Sequence, residues 1–522
     1  MPESEKIDSV LLQAVDIVSS VKISDDEASS TYSTTTLRRA DIENRHINSV
    51  KELSATAPNF YQPDYGSRMT SSMYVRGFGS RIDQPVVGMN IDGVPVMNKN
   101  NYDFELFDID RVQVMRGAQG LLYGRNTSGG TINLYTMSPL NFQGKRFVLE
   151  YGSANNVRVK ASHYAAPSNR FGWAVSLLYN HSDGYFMNKE LGKNCDGGDN
   201  GALRLRMLWL PGDDWSIDNT LAVGYTAEGG WAYRHYNPAD KSLAPVAYND
   251  ECSYNRFNIS EGLVVKRTLD WGVISSTTGY QYVDDRMRLD NDFLPLDYFS
   301  MGQYQKEHSL TQEFVVKADD LGVFNILGGL FGFFKHNDMS APVHFKQYGI
   351  DNLILKNAND WFYTEEGEEL SFKEDNFVIY DDFVIPAFGV AAFVQGGFSL
   401  HGFDVKAGLR VDYEYSSMSY DSHSTVHYST YKEVVGYEVM NTVFKGQKAV
   451  DALVLLPTLS VSYGGDWGNV YASSRKGFKA GGFNTQLFSD ILQSKMIGEL
   501  TGNEQKVDAI STIYMPEKKL DI

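Results

Sequence analysis

From about residue 144 onward the chain falls into segments of roughly 10 to 20 residues in which apolar and polar side chains alternate, the signature of strands with two different faces. Three segments carry the pattern plainly. Val405, Ala407, Leu409, Val411 and Tyr413 alternate with Lys406, Gly408, Arg410, Asp412 and Glu414. Leu203, Leu205, Met207 and Trp209 are set against Arg204 and Arg206, and Leu310, Phe314, Val316 and Ala318 against Ser309, Thr311, Glu313 and Lys317. A soluble sandwich alternates too, so the connections must discriminate. Short turns are predicted at residues 166–169, 211–214, 269–272, 319–322, 401–402 and 464–468. Between them lie longer polar stretches near 183–200, 228–256, 292–307, 338–388 and 420–448. Loop length sorted by end is the habit of outer-membrane barrels, whose inner rim is trimmed while the outer rim carries recognition.

This reading counts about 13 strands, an odd number, whereas single-chain bacterial barrels close with an even one. A barrel wide enough to hold a folded unit in its lumen needs about 22 strands, so roughly nine more are expected beyond Ile522. The chain therefore reads as a fragment rather than as a smaller barrel. The first part, to about residue 140, differs: alternation is short, and helix-like pieces occur at Arg38–Glu43 and Val50–Ala55. An α+β unit thus precedes the barrel, seated either in the periplasm or in the lumen.

Composition sharpens this picture. A chain of 522 residues is too long for one ordinary core. No run of apolar residues is long enough for a membrane-spanning helix, while 32 Tyr, 29 Phe and 47 Gly suit barrel girdles and strand packing. With 47 basic against 65 acidic residues, nucleic acid is not a partner. Cys195 and Cys252, the only cysteines, make no metal cage, and whether they pair is left open. Neither a zinc-protease helix motif nor a nucleophile elbow occurs, so no catalytic residue, metal or cofactor is expected. The opening MPESEKIDSV lacks the basic and apolar regions of a secretory signal, which an exported protein would have lost or carried upstream.

Between Ser71 and Pro139 stand SSMYVRGFGS, VVGMNIDGVPV and FDIDRVQVMRGAQGLLYGRNTSGGTINLYT. In their order these resemble the plug domain of TonB-dependent receptors. The matching residues are Arg76-Gly77, Asp92-Gly93, the run from Arg111 to Arg116-Gly117, Leu122-Tyr123-Gly124, and Gly129-Gly130 opening GGTIN. Ala118 stands where proline is usual, and Leu134-Tyr135 replace smaller residues. The run RNTSGG lacks the Gly-Lys-[Ser/Thr] ending of a phosphate loop. Upstream, Leu12 to Ser19 resembles the family's energy-coupling box. On that resemblance Val15, Asp16, Ile17, Val18 and Ser19 would add a strand to a sheet edge of TonB, which is driven by the inner-membrane ExbB/ExbD complex.

The resemblance implies a membrane all-β fold: an antiparallel outer-membrane β-barrel, about 13 of 22 strands present, with an N-terminal α+β plug in the lumen. Residues 1–30 would be an extension, 31–140 the plug and 141–522 the incomplete barrel. Arg76 and Arg116, enclosed by the lumen, would need carboxylate partners, and Glu313 and Glu517 match family positions that can serve. Tyr65, Arg68, Arg81, Tyr102 and Trp231 are ligand-binding candidates by residue type near apical loops. The implied function is active import across the outer membrane of a Gram-negative bacterium, amid outer-membrane lipid. A ferric siderophore or other metal chelate is the first cargo, then cobalamin, haem or an oligosaccharide. A passive porin or a surface adhesin is the reading of another class.

Overall fold

The computed structural model describes residues 21–22, 31–63, 72–80, 84–362, 368–431, 434–465, 468–502 and 511–521. Two sheets organise them. The smaller has five strands in the order Ser33–Arg38, Ile109–Arg116, Gly130–Thr136, Val87–Ile91 and Val94–Pro95. Its pairs are antiparallel except Val87–Ile91 against Gly130–Thr136, which is parallel. Val112, Val114, Ile132 and Leu134 pack with Leu37, Ile42, Val50 and Leu53, the last three from the helical turns Arg39–Asn44 and Val50–Ala55. Apolar side chains inside and polar ones outside make this an ordinary core. Asp92 and Gly93, with φ of 50° and 86°, form the two-residue turn between Val87–Ile91 and Val94–Pro95, a conformation that Asp-Gly favours in hairpins.

The larger sheet has 16 strands, two of them the short branches Val343–Lys346 and Glu368–Phe372. Its main path holds thirteen strands of nine residues or more, from Gly144–Gly152 to Gly468–Lys479, and then the short Glu517–Asp521. Each pairs antiparallel with its neighbour, and the two terminal strands are not paired with one another among the described residues. Burial here is reversed. Leu409 is 44% exposed while its neighbour Arg410 is 1% exposed, and Met207 is 47% exposed beside Arg206 at 2%. Charged residues inside and apolar residues outside suit a wall with lipid around it and a polar lumen within. No described helix is long and apolar enough to cross a membrane.

Two belts of exposed aromatics mark the lipid boundary. Trp209, Trp215, Trp271, Phe324, Phe403 and Tyr463 ring the short-turn rim, and Tyr225, Phe257, Tyr280, Phe334 and Phe388 ring the wall higher up. The belts lie roughly ten residues apart, about 33 Å along a strand and about 25 Å in height at the usual tilt. Turns at 169–170, 210–214, 270–271, 322–323 and 401–402 close the lower rim.

The upper connections correct the sequence expectation in two places. Residues 420–448 are not mainly loop: Phe403–Tyr431 and Glu438–Gly465 run as paired strands of 29 and 28 residues far above the upper belt. Above the lipid both faces of a strand are polar, so alternation fails as a signal there. The stretch 338–388 likewise contains the end of Phe324–Ser340 and the start of Asn376–Leu400, with short helices between.

Candidate functional site

The N-terminal unit is held inside the wall by buried charge. Arg206 makes a two-pronged ion pair with Asp218, at 3.0 Å and 2.6 Å, and from there donates to the carbonyl and hydroxyl oxygens of Thr136 at 2.8 Å and 2.7 Å. Thr136 in turn donates through its backbone N–H and hydroxyl to the Asp92 carboxylate, so the Asp-Gly turn, the central strand and the wall form one network. Arg204 donates to the Phe107 carbonyl at 3.0 Å with its guanidinium over that ring. On the far side Arg125 meets Glu414 at 3.1 Å, Arg410 grips Asp412 at 2.8 Å and 2.9 Å, and Arg475 donates to Thr31. Each guanidinium meets at least one carboxylate or protein oxygen there, which lowers the cost of burying it.

Above this unit and below the long loops lies a cavity of about 930 Å³. Met97, Asn98 and Lys99 form part of its floor, and Trp231, Phe299, Phe333 and Phe345 part of its walls. The helix Phe488–Thr501 contributes Asp490 and Gln493 from one side, anchored by Phe488 edge-on to Phe383 at 5.0 Å. A folded unit thus packs against the charged face of the wall, joined to it by ion pairs and topped by an aromatic-lined cavity.

Comparison with known proteins agrees. Residues 26–131 match the TonB-dependent Receptor Plug Domain family. That part of the chain is a plug domain of this family. It is 25% identical over 331 residues to the pesticin receptor of Yersinia enterocolitica, covering 62% of this chain and 48% of that protein. It is 24% identical over 269 residues to the vitamin B12 transporter BtuB of Vibrio cholerae, covering 49% of this chain and 43% of that one. The chain thus spans about half the length of these curated relatives. In fold it resembles the ferric yersiniabactin uptake receptor FyuA from Yersinia pestis, with a TM-score of 0.72 at 20% identity over 89% of this chain and 67% of that one. The siderophore receptor PiuA from Acinetobacter baumannii follows at 0.66 and 11%, over 95% and 69%.

The plug motif residues fall into distinct roles. Arg76 and Gly77 form a turn at φ of 52° and 75°. Arg111 stacks over Tyr135, and Asn133 donates to the Tyr123 hydroxyl at 2.9 Å. Gly117 and Gly124 are places of close approach: at positive φ, a Cβ would strike the Asp521 carboxylate at the first and the Arg410 guanidinium at the second. Gly129 and Gly130 bring their strand against Val86 and Met115.

The expected ion pairs are not the ones found. Arg76 meets Asp521 at 3.2 Å instead of Glu313 or Glu517. Arg116 stays within the plug, donating to Ser33 at 3.1 Å, Thr35 at 2.6 Å and Pro58 at 3.3 Å, because hydroxyls and a carbonyl on neighbouring segments already surround it. Glu313 pairs with Lys22 at 2.5 Å, and Glu517 with Lys479 at 3.0 Å on the adjacent strand. Of the ligand candidates, Trp231 lines the large cavity. Tyr102 is buried in the plug with its hydroxyl toward the Val96 carbonyl. Tyr65, Arg68 and Arg81 lie outside the described residues, as do Val15 to Ser19. Both cysteines are free and buried, in the cluster of Trp231, Tyr248 and Tyr254.

Arg125, Glu414 and Arg410 were missed as contacts between plug and wall, as was Arg410's partner Asp412. The signal was present in the last three, which share the charged face of an alternating strand, but alternation does not say which lumen residue meets which plug residue.

Proposed function

We propose that this chain is the plug and part of the barrel of an outer-membrane receptor that imports a scarce solute with energy delivered by TonB. A ferric siderophore or other metal chelate is the first cargo to test. The observation that carries the reading is the filled lumen: a solute entering the cavity can go further only if the plug moves. Removing one partner of a buried pair costs about 3–5 kcal/mol, so displacement needs work. The outer membrane holds no useful ion gradient, whereas one charge crossing about 100 mV of inner-membrane potential releases roughly 2.3 kcal/mol. Coupling through Val15–Ser19 to TonB and its ExbB/ExbD complex would bring that energy across.

The division into an extension at 1–30, a plug at 31–140 and a barrel at 141–522 belongs to this proposal, as does a place in the Gram-negative outer membrane. The names of the relatives support the cargo order: FyuA is an uptake receptor for ferric yersiniabactin, PiuA a siderophore receptor and BtuB a vitamin B12 transporter. Cobalamin is therefore the second cargo, with haem and oligosaccharides behind it. On this reading the protein is not an enzyme, and the filled lumen weighs against a passive porin.

The test is growth and cargo uptake under iron limitation, by cells expressing the gene with and without Val15–Ser19. Iron-dependent uptake that disappears on deletion while surface binding persists is the expected result. Uptake indifferent to the deletion would sink the coupled-import reading, and uptake of cobalamin in place of iron would keep the mechanism and replace the cargo.

A further inference from the structure

The outer face of the barrel wall is not uniformly apolar. On the adjacent strands Trp215–Glu228, Ser253–Leu269, Gly272–Asp290 and Phe299–Leu321, the side chains of Asn219, Glu261, Ser276, Thr278 and Gln312 point away from the lumen. Alternation fixes their direction. Asn219 follows the buried Asp218, and Gln312 stands between the buried Thr311 and Glu313, on the side of the exposed Leu310 and Phe314. Glu261 precedes Gly262, whose inner side faces Val94 of the plug, and Ser276 and Thr278 share the side of the exposed Ile274 and Tyr280. The five form one patch: Asn219 and Thr278 both stand across from Leu263, Thr278 also across from Gln312, and Leu221 and Tyr280 on either side of Glu261. The patch lies between the two aromatic belts, and the strands flanking it present Leu203, Leu205, Leu330 and Val390 to lipid.

Hydrocarbon offers no hydrogen bonds, so polar groups at this depth answer to one another or to a partner. Part of the patch is closed on itself: Thr278 donates to Gln312 at 2.6 Å, and Gln312 to Ser276 at 2.9 Å. Glu261 is different. It is the charged member, it is exposed, and among the described residues its carboxylate takes one hydrogen bond, from the Asn219 amide at 3.3 Å. A carboxylate has two oxygens and an amide two N–H groups, so one acceptor and one donor stay open side by side on neighbouring strands.

We infer that this face is the interface with a second copy of the chain, packed wall to wall within the bilayer. A twofold axis along the membrane normal, between Trp215–Glu228 and Ser253–Leu269, sets Asn219 of each copy against Glu261 of the other. The open N–H of one then meets the open oxygen of the other, twice. The same axis brings equal depths together, belt against belt and polar patch against polar patch. A second copy supplies that match by symmetry, whereas any other partner would have to present its own polar patch at the same depth. Polar side chains join membrane-spanning segments by hydrogen bonds of this kind. The inference rests on the wall being a lipid-facing barrel and is independent of cargo and of coupling to TonB.

The test is oxidative cross-linking in native outer membranes of cells expressing the full-length gene with Leu221→Cys, which lies beside the axis and directly across from Glu261. The unaltered chain, whose two cysteines are free and buried, is the background. A disulfide-linked dimer is expected from Leu221→Cys, and none from Val390→Cys, which is exposed to lipid on the distant strand Asn376–Leu400. Adding Asn219→Leu and Glu261→Leu makes the face apolar, so insertion is not at stake, and should weaken association about tenfold. If Leu221→Cys gives no cross-link, the mass of the unaltered full-length protein in native-lipid discs decides: a dimer that the double variant loses supports the inference, and a monomer overturns it. A cross-link to a different outer-membrane protein, or a dimer that the double variant keeps in full, overturns it as well. None of these outcomes touches the importer reading, which is judged by the deletion of Val15–Ser19.

Discussion

The plug and the barrel wall solve burial in opposite ways within one chain. In the plug, Leu134 and Val112 are fully buried, and the interior is held by apolar packing. In the wall, Leu409 and Met207 face outward while Arg410 and Arg206 are buried. The difference lies in the solvent and not in the residues: water around the plug core drives apolar groups in, and lipid around the wall accepts them outside. What remains for the lumen is charge, and it is affordable there only because each guanidinium has an oxygen partner on the wall or the plug. The two regions therefore meet through ion pairs as well as through small apolar clusters, such as Leu121 and Leu122 against Val315, Leu327 and Phe393.

Breaking this contrast should have its largest effect at the buried pairs. Arg206→Ala leaves Asp218 unpaired and removes both bonds to Thr136, so thermal unfolding in detergent should report a loss of about 3–5 kcal/mol. Replacing the pair together, Arg206→Met with Asp218→Leu, should recover most of it; if the double variant is no better than the single, burial of charge is not the cause. Next comes the plug core, where Leu134→Ala should cost about 2–5 kcal/mol through the cavity it opens. Comparable in size but opposite in logic, Leu409→Arg should cost about 2–4 kcal/mol because the new charge faces lipid. A neutral result there would mean that this face is wet. Smaller still, Arg76→Ala should change stability by less than about 1 kcal/mol, since the Arg76–Asp521 pair is partly open to water.

The last prediction leaves stability untouched. Burial pushes the Cys252 thiol up to about 12. Only the thiolate reacts with alkylating agents, so in a Cys195→Ser background its labelling near pH 8.5 should be on the order of a thousandfold slower than that of an ordinary thiol. The rate should climb with pH up to about 11, where an ordinary thiol levels off near 9. A plateau at the lower pH would place this sulfur in water.

Much of the architecture was legible before any coordinates. Alternation over Leu203–Trp209 and Val405–Tyr413 disclosed the wall, because strand period is a local property of a few residues, while the runs from Arg76 to Thr136 disclosed the plug through their resemblance to a known family. The pairings were less legible. Arg76 was expected to meet Glu313 or Glu517 and meets Asp521, which sits nearly at the end of the described chain and carries no pattern of its own. The length of Phe403–Tyr431 was hidden for a different reason: above the lipid the two faces of a strand have the same polar surroundings.

What the sequence determined by itself was which residues alternate, where the chain turns and which family its motifs resemble, since all three are written in neighbouring positions. Only the tertiary structure decided that charge lies inward, that Lys22 meets Glu313 and Arg125 meets Glu414, and that Asp381, Asp490 and Trp231 face one cavity. Those facts join residues up to hundreds of positions apart, and only the curvature of the whole sheet around the plug brings them together.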